Sequence, residues 1–199
     1  MKFRSFSALA PALIALVAMF SVAHETLAQA APRVKFATTA GDFVVEVYPD
    51  KAPKTAENFL QYVNDKHYDG TIFHRVIDNF MVQGGGFDAR YGEKKTRAPV
   101  AHEGREALAK GGPKNVVGTL AMARTNDPHS ASAQFFINVR DNAFLDPTAQ
   151  QPGYTVFGKV VSGMEVVQKI KTTPTGAGGP FPSDVPKTPI LINSATLVK

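Results

Sequence analysis

The stretch Phe73 to Gly86, FHRVIDNFMVQGGG, restricts this chain more than any other. Ile72, His74 and Val76 alternate with Phe73, Arg75 and Ile77, a period of two that fits an extended strand and not a helix. Phe80 to Gln83 reads as the next strand, and the turn-forming pair Asp78-Asn79 joins the two. Arg75 and Gln83 then lie on adjacent strands and can face one surface. The glycines that follow let other backbone pass close by. A permanent cation, the ring of Phe80, the thioether of Met81 and an amide beside a glycine run describe the floor of a binding surface. An ordinary hairpin with a solvated Arg and Gln accounts for the same residues, and these residues alone leave both readings open.

The remainder of the chain supplies one domain for that surface. Lys2 and Arg4 precede an apolar run from Phe6 to Ala23, and Ala28-Gln29-Ala30 is a small-x-small cleavage pattern. Residues 1–30 therefore read as a secretory signal peptide cleaved after Ala30, with export the expectation. An uncleaved anchor helix fits less well, because Pro11 interrupts the run and the unbroken part falls short of the ~20 residues a span needs. Residues 31–199 have the length of a single domain with a core large enough to fold unstapled. The chain has no cysteine, which excludes disulfides, thiolate nucleophiles and zinc-thiolate sites. Without Lys2, Arg4 and Glu25 it keeps 20 basic and 16 acidic residues, a spread-out excess. Lys94, Lys95 and Arg97 form its only tight basic group, in a segment that reads as a solvated loop and not as a nucleic-acid patch.

Most of the domain reads as short strands. Val34 to Thr38 and Phe43 to Tyr48 alternate around the turn Thr39 to Asp42. Val116 to Ala123, Gln134 to Val139, Tyr154 to Val161 and Ile190 to Val198 follow as further strands. Pro53 to Asn64 carries Ala56, Phe59, Leu60 and Val63 at helical spacing, and Ser162 to Lys171 carries Met164, Val167 and Ile170, with Ser162 as the expected cap. Phe87 to Lys114 reads as a long irregular rim, and Thr173 to Pro189 as a Pro/Gly loop. The fold class expected is mainly β, a barrel or sandwich capped by two helices.

The usual catalytic sets are missing. There is no G-x-S-x-G elbow, and Ser130 and Ser132 beside His129 share a loop where sequence neighbours rarely form a triad. His67, His74, His102 and His129 show no metal-ligand spacing, and Gly84 to Gly86 lack the Lys-Ser/Thr of a phosphate loop. Donors and apolar side chains without a nucleophile or base can bind an extended peptide, or catalyse a reaction that breaks no bond.

The strings FHRVIDNFMVQGG (Phe73 to Gly85), GTLAMAR (Gly118 to Arg124), SAQFFI (Ser132 to Ile137) and VFGKVVSGMEVV (Val156 to Val167) closely resemble the cyclophilin family of peptidyl-prolyl cis-trans isomerases. They stand in the family's order, behind a helix holding Lys54-Thr55-Ala56-Glu57-Asn58-Phe59, and the likeness spans nearly all of residues 31–199. The nearest likeness is to the short exported bacterial members of the periplasm, so the resemblance implies a periplasmic location, with full secretion the lesser expectation. The resemblance implies an eight-stranded antiparallel barrel, a helix over each open end, and a substrate groove on the outer face. It implies Arg75 as the catalytic residue, with Phe80, Met81, Phe136 and Leu145 as the proline pocket. Gln83 and Gln134 become the backbone-binding amides, and Ala123 and Arg124 the edge that pairs with the peptide. Two positions depart from the common eukaryotic pattern: Phe144 stands for a tryptophan and Tyr154 for a histidine, so the indole N–H is lost and tight cyclosporin binding is in doubt. The partners implied are extended polypeptides containing proline, bound by a monomer without metal or cofactor, with no nucleic acid and no membrane insertion after leader cleavage. A peptide-binding module or holdase using the same groove is the rival class, against which Arg75 argues, since binding a proline needs no donor over its nitrogen.

Overall fold

The first hairpin forms where the alternation puts it. β1 (Arg33–Thr38) and β2 (Gly41–Val47) pair antiparallel. Thr38 closes the turn: its hydroxyl donates to the Gly41 carbonyl at 2.6 Å and accepts from the Ala40 N–H at 3.1 Å. In the computed structural model, which describes residues 30–198, further strands follow as β3 (Thr71–Ile77), β4 (Met81–Asp88), β5 (Thr119–Met122), β6 (Phe135–Asn138), β7 (Val156–Ser162), β8 (Thr175–Gly178), β9 (Phe181–Pro186) and β10 (Leu191–Val198). Eight of them close an antiparallel barrel in the order β1-β10-β3-β4-β6-β5-β7-β2, while β8 and β9 form a separate hairpin. The signal-peptide expectation for residues 1–30 falls, apart from Ala30, outside the described residues.

Every second strand residue points into the barrel, and aromatic rings fill it. Phe36, Phe43, Tyr68, Phe73, Phe135 and Phe157, joined by Phe59 from a capping helix, are fully buried. Phe36 stacks on Phe43 with centroids 5.0 Å apart, and Phe59 meets Phe135 edge-on at 6.0 Å, spacings typical of favourable aromatic pairs. Side chains thus occupy the interior, and any binding site belongs on the outside.

Three helices accompany the barrel, α1 (Pro53–Asn64), α2 (Gly104–Ala109) and α3 (Met164–Lys171), where the sequence indicated two. α1 buries Ala56, Phe59 and Val63 as its spacing requires. Its N-terminus is held by a distant side chain: Glu103 accepts from Lys54 N at 3.1 Å and from Thr55 N and Oγ1 at 2.8 Å. A carboxylate there satisfies orphan N–H groups and complements the helix dipole. α2, six residues inside the segment read as irregular, is too short to display a period and buries only Gly104 and Ala107. α3 is not capped by Ser162, which ends β7. Its cap is Gly163 at φ +79°, where a Cβ would lie 2.5 Å from the Asp42 carbonyl oxygen, so only glycine fits. The Pro/Gly segment after α3 likewise contains a hairpin, β8–β9, with β9 packed on β3.

Candidate active site

Two bulges between β3 and β4 build the site. Phe73 lies opposite Gly84 and Arg75 opposite Gln83, so His74 is an extra residue on β3. Phe73 and Val76 belong to the barrel core, and the two residues between them, His74 and Arg75, both line the outer face. Simple alternation had placed Phe73 and Arg75 on one side; the bulge separates them. On β4 the second bulge sets Gly85, Gly86 and Phe87 against the single residue Ile72, since Thr71 pairs with Asp88 while Phe73 pairs with Gly84. Gly85, at φ +88°, sits where a Cβ would be 2.8 Å from the Tyr68 ring. At Gly86 a Cβ would be 2.6 Å from the Gln134 side chain, so the bare backbone is what lets Gln134 lie across the strand.

A line of polar groups results. Arg75 Nη1 donates to Gln83 Oε1 at 3.4 Å, and Gln83 Nε2 donates to Gln134 Oε1 at 3.0 Å. Beside it lies an apolar cup. Met81 and Phe136 face outward because Val82, Phe135 and Ile137, their strand neighbours, face the core. With Ala121, Leu145 and Val156 they form a second buried cluster outside the barrel, flanked by Ile77, Phe80, Ala123 and Tyr154. The burial of Phe136 and Leu145 is therefore burial in a pocket floor and not in the barrel core.

Leu145 comes from a single 3₁₀ turn, Ala143–Leu145, stitched down by buried amides. Asn142 Nδ2 donates to Phe80 O at 2.9 Å and to Asn138 Oδ1 at 2.7 Å, while Asp146 Oδ1 accepts from Asn115 N at 2.8 Å and Asn115 Nδ2 at 3.0 Å. Asn138 Nδ2 in turn donates to Thr119 Oγ1 at 3.0 Å. Sequence reasoning passed over these residues; the available signal was an asparagine ending the apolar strand FFIN.

Ten of the eleven expected site residues, Arg75, Phe80, Met81, Gln83, Ala123, Arg124, Gln134, Phe136, Leu145 and Tyr154, line one cavity of about 350 Å³. Phe144 stands at its rim, 64% exposed and stacked on Phe80 at 5.7 Å. Tyr154 meets Phe136 edge-on at 5.5 Å and donates its N–H to Leu145 O at 2.9 Å. Arg124 bridges two loops, lying over the Tyr154 ring at 4.5 Å and donating from Nη2 to Gly153 O at 2.9 Å while Nη1 donates to Thr125 O of its own loop at 2.7 Å. Ala123 donates its N–H to Gln134 O at 3.0 Å.

Three lining residues were not anticipated: His74, Phe87 and Phe181. Burial pushes His74 down to about 4, against a weaker upward pull from the Ile72 carbonyl, so the ring is neutral at neutral pH. No carboxylate, thiol or serine lines the cavity. It can grip an extended chain and aim a guanidinium at it, and it has no carboxylate, thiol or serine to abstract a proton or attack.

A family model described as cyclophilin type peptidyl-prolyl cis-trans isomerase/CLD matches residues 33–197, the whole barrel. Peptidyl-prolyl cis-trans isomerase B of Escherichia coli is 51% identical over 167 residues, covering 82% of this chain and 98% of that protein. The isomerase cyp18 of Streptomyces antibioticus is 52% identical over 168 residues, 83% and 98% of the two chains. Isomerase A of Dickeya dadantii is 45% identical over 188 residues, 94% and 96%. Among solved structures, a Cryptosporidium parvum cyclophilin type isomerase superposes with a TM-score of 0.67 at 25% identity, over 85% of this chain and 98% of that one. Its structure in the presence of the dipeptide Ala-Pro gives 0.66 over 84% and 99%. A closed barrel matched from its first strand into its last, with half its residues shared with bacterial isomerases, makes this chain a member of the cyclophilin-type peptidyl-prolyl cis-trans isomerases.

Proposed function

We propose that the outer-face cavity binds extended, proline-containing segments of unfolded polypeptide, with Arg75 as the catalytic residue. The observation that carries this is the line Arg75–Gln83–Gln134 beside the Met81–Phe136–Leu145 cup. Rotation about an X-Pro bond faces a barrier of about 18–20 kcal/mol because amide resonance must be lost. In the twisted transition state the proline nitrogen turns pyramidal and regains a lone pair, so a donor aimed at it binds that state better than the planar one. Arginine suits the role because it is always charged and cannot act as a base. The cup seats the ring, with Met81 adapting its shape. Gln83 uses one amide hydrogen on Gln134 and has a second with which to hold the carbonyl before the proline, so one side of the bond is fixed while the other turns. The Cryptosporidium relative's Ala-Pro dipeptide supports the choice of substrate class. No metal or cofactor enters this chemistry.

The leader pattern at residues 1–30 supports a place in the periplasm, where the enzyme would act as a monomer on exported proteins as they fold. The match to the Dickeya isomerase covers 94% of the chain, more than residues 31–199 amount to, and so reaches back into that leader.

A protease-coupled assay on a proline peptide tests the mechanism. A hydrogen bond to a charged group contributes roughly 1.5–3 kcal/mol, so Arg75→Ala is expected to lower kcat/KM about 10- to 150-fold. Equal rates for Arg75→Ala and wild type overturn the assignment. Mass spectrometry of fractionated cells tests the export: the periplasmic species should begin at Ala31, and a cytosolic species that keeps Met1 refutes it.

A further inference from the structure

The cavity does not end at the proline cup. It continues past Arg75 into a recess walled by Phe87 of β4 and Phe181 of the β8–β9 hairpin and floored by His74. The three rings touch one another, Phe87 to Phe181 at 5.1 Å and 87° and the imidazole 4.8 Å from Phe87 and 5.5 Å from Phe181, so they present one apolar surface to the cavity, on which a further ring can lie, with no slot between them. A proline ring in the cup leaves this end of the cavity empty.

We propose that this recess is a second subsite of the groove and takes a bulky, uncharged apolar side chain, an aromatic ring above all, from the same segment whose proline occupies the cup. The inference rests on reading the cavity as the groove for proline-containing segments. Continuity is its first support, since one chain can span both ends: Gln83 and Phe87 are four residues apart on β4, so the side chain comes from a residue about two to four positions from the proline.

Chemistry is the second support. Open aromatic boxes often take cations, yet here Arg75 follows His74 directly, Arg124 lines the same cavity and no carboxylate faces it. A lysine or arginine is repelled. A carboxylate would lose its water among three rings with only an unpartnered, buried His74 Nδ1 close by. An aromatic edge or face matches the walls.

Rigidity is the third. Phe181 is the first residue of β9 in the β8–β9 hairpin, next to its turn. At Gly178 a Cβ would be 2.8 Å from the Tyr91 hydroxyl, and at Gly179 only 2.3 Å from the Tyr91 ring. Tyr91 itself sits at φ +64° and reaches Phe181 at 6.4 Å, so a left-handed tyrosine and two glycines clamp the wall in place. A preformed pocket costs little ordering when it is filled.

The test is a peptide set with a fixed Ala-Pro core in which one Phe, Leu, Lys or Ala is moved through two to four positions on either side. Turnover of the all-Ala peptide tests the isomerase reading separately, because it needs the cup alone. At one position wild type is expected to turn over the Phe peptide about fivefold or more faster in kcat/KM than the Ala or Lys peptide. Phe181→Ala is expected to bring that ratio to near 1. Phe181→Leu, which keeps the apolar seat of the hairpin on β3, should at least halve it should the alanine variant melt early. All-Ala turnover with no position preferring Phe, a preference for Lys, or a Phe ratio unchanged in both variants overturns the subsite.

Discussion

Two adjacent glycines separate the groove from the barrel that carries it. Gly86→Ala introduces a methyl 2.6 Å from Cγ, Cδ and Nε2 of Gln134, and the movable partner is the end of a flexible side chain. Gly86 does not have a positive φ, so the backbone accepts alanine. Gln134 must swing away, and the Gln83–Gln134 hydrogen bond breaks. A neutral bond of this kind contributes about 0.5–1.5 kcal/mol, and if it orders Gln83 for catalysis kcat/KM falls about 2- to 12-fold. Gly85→Ala acts on the opposite face. Its φ of +88° is unfavourable for alanine, and the methyl would lie 2.8 Å from the Tyr68 ring and 3.1 Å from that of Phe135, both in the packed core. Left-handed strain of about 1–2 kcal/mol and overpacking of about 1–3 kcal/mol add to roughly 2–5 kcal/mol.

Thermal melts and the protease-coupled assay then give opposite patterns. At about 2–4 °C of Tm per kcal/mol for a chain of this size, Gly85→Ala should melt at least about 4 °C early, while its folded fraction turns over normally. Gly86→Ala, which loses at most the one bond of about 0.5–1.5 kcal/mol, should melt no more than about 6 °C early, less than Gly85→Ala, and lose activity. Wild-type kcat/KM in Gly86→Ala, or equal Tm losses in the two variants, refutes the claim that the amide line depends on a bare backbone at Gly86.

Glu103→Ala strips three donors at the start of α1 of their acceptor and should cost about 1.5–3 kcal/mol in urea melts, with Glu103→Gln intermediate. His74, held at about 4 when folded against an ordinary 6.5, takes up its proton more readily in the unfolded chain. Stability is thus lost as pH falls from about 6.5 to 4, by up to about 3 kcal/mol. His67 and His102 are also lowered by burial and share the sign, so the measure is the difference in slope between wild type and His74→Phe over that window; identical slopes refute it. Phe144→Trp restores an indole N–H at the exposed rim and should tighten cyclosporin binding about 2- to 12-fold by calorimetry, through one added hydrogen bond.

Local patterns carried much of the fold. The β1–β2 hairpin and α1, which runs over Pro53–Asn64 as its spacing implied, are specified by neighbours within a turn or two. Arg75, Gln83 and Phe136 were legible because each alternates with a core residue on a strand or belongs to a string with a family likeness. The bulge at His74 was not. It depends on how β3 pairs with Gly84 and Gln83 of the partner strand, and nothing in Ile72 to Ile77 reports a register set across the sheet. Glu103 caps a helix 48 residues before it, and Phe181 reaches Phe87 from a segment whose prolines and glycines read as a loop. Such features exist only once the barrel has closed.

Closure also decides where the site can lie. The aromatic interior leaves no lumen, so the groove uses the outward residues of β4, β5 and β6, whose inward neighbours, among them Val82, Leu120, Phe135 and Ile137, are fixed in the core. A cup residue can shift only if a core residue one step away shifts too, and close packing resists that. Each bulge trades regular pairing for an extra outward group: His74 accompanies Arg75, and Gly86 admits Gln134. On the proposed mechanism the reaction breaks no covalent bond and needs only a fixed donor and a fixed cup, and a rigid barrel wall would supply both without reorganisation in the transition state.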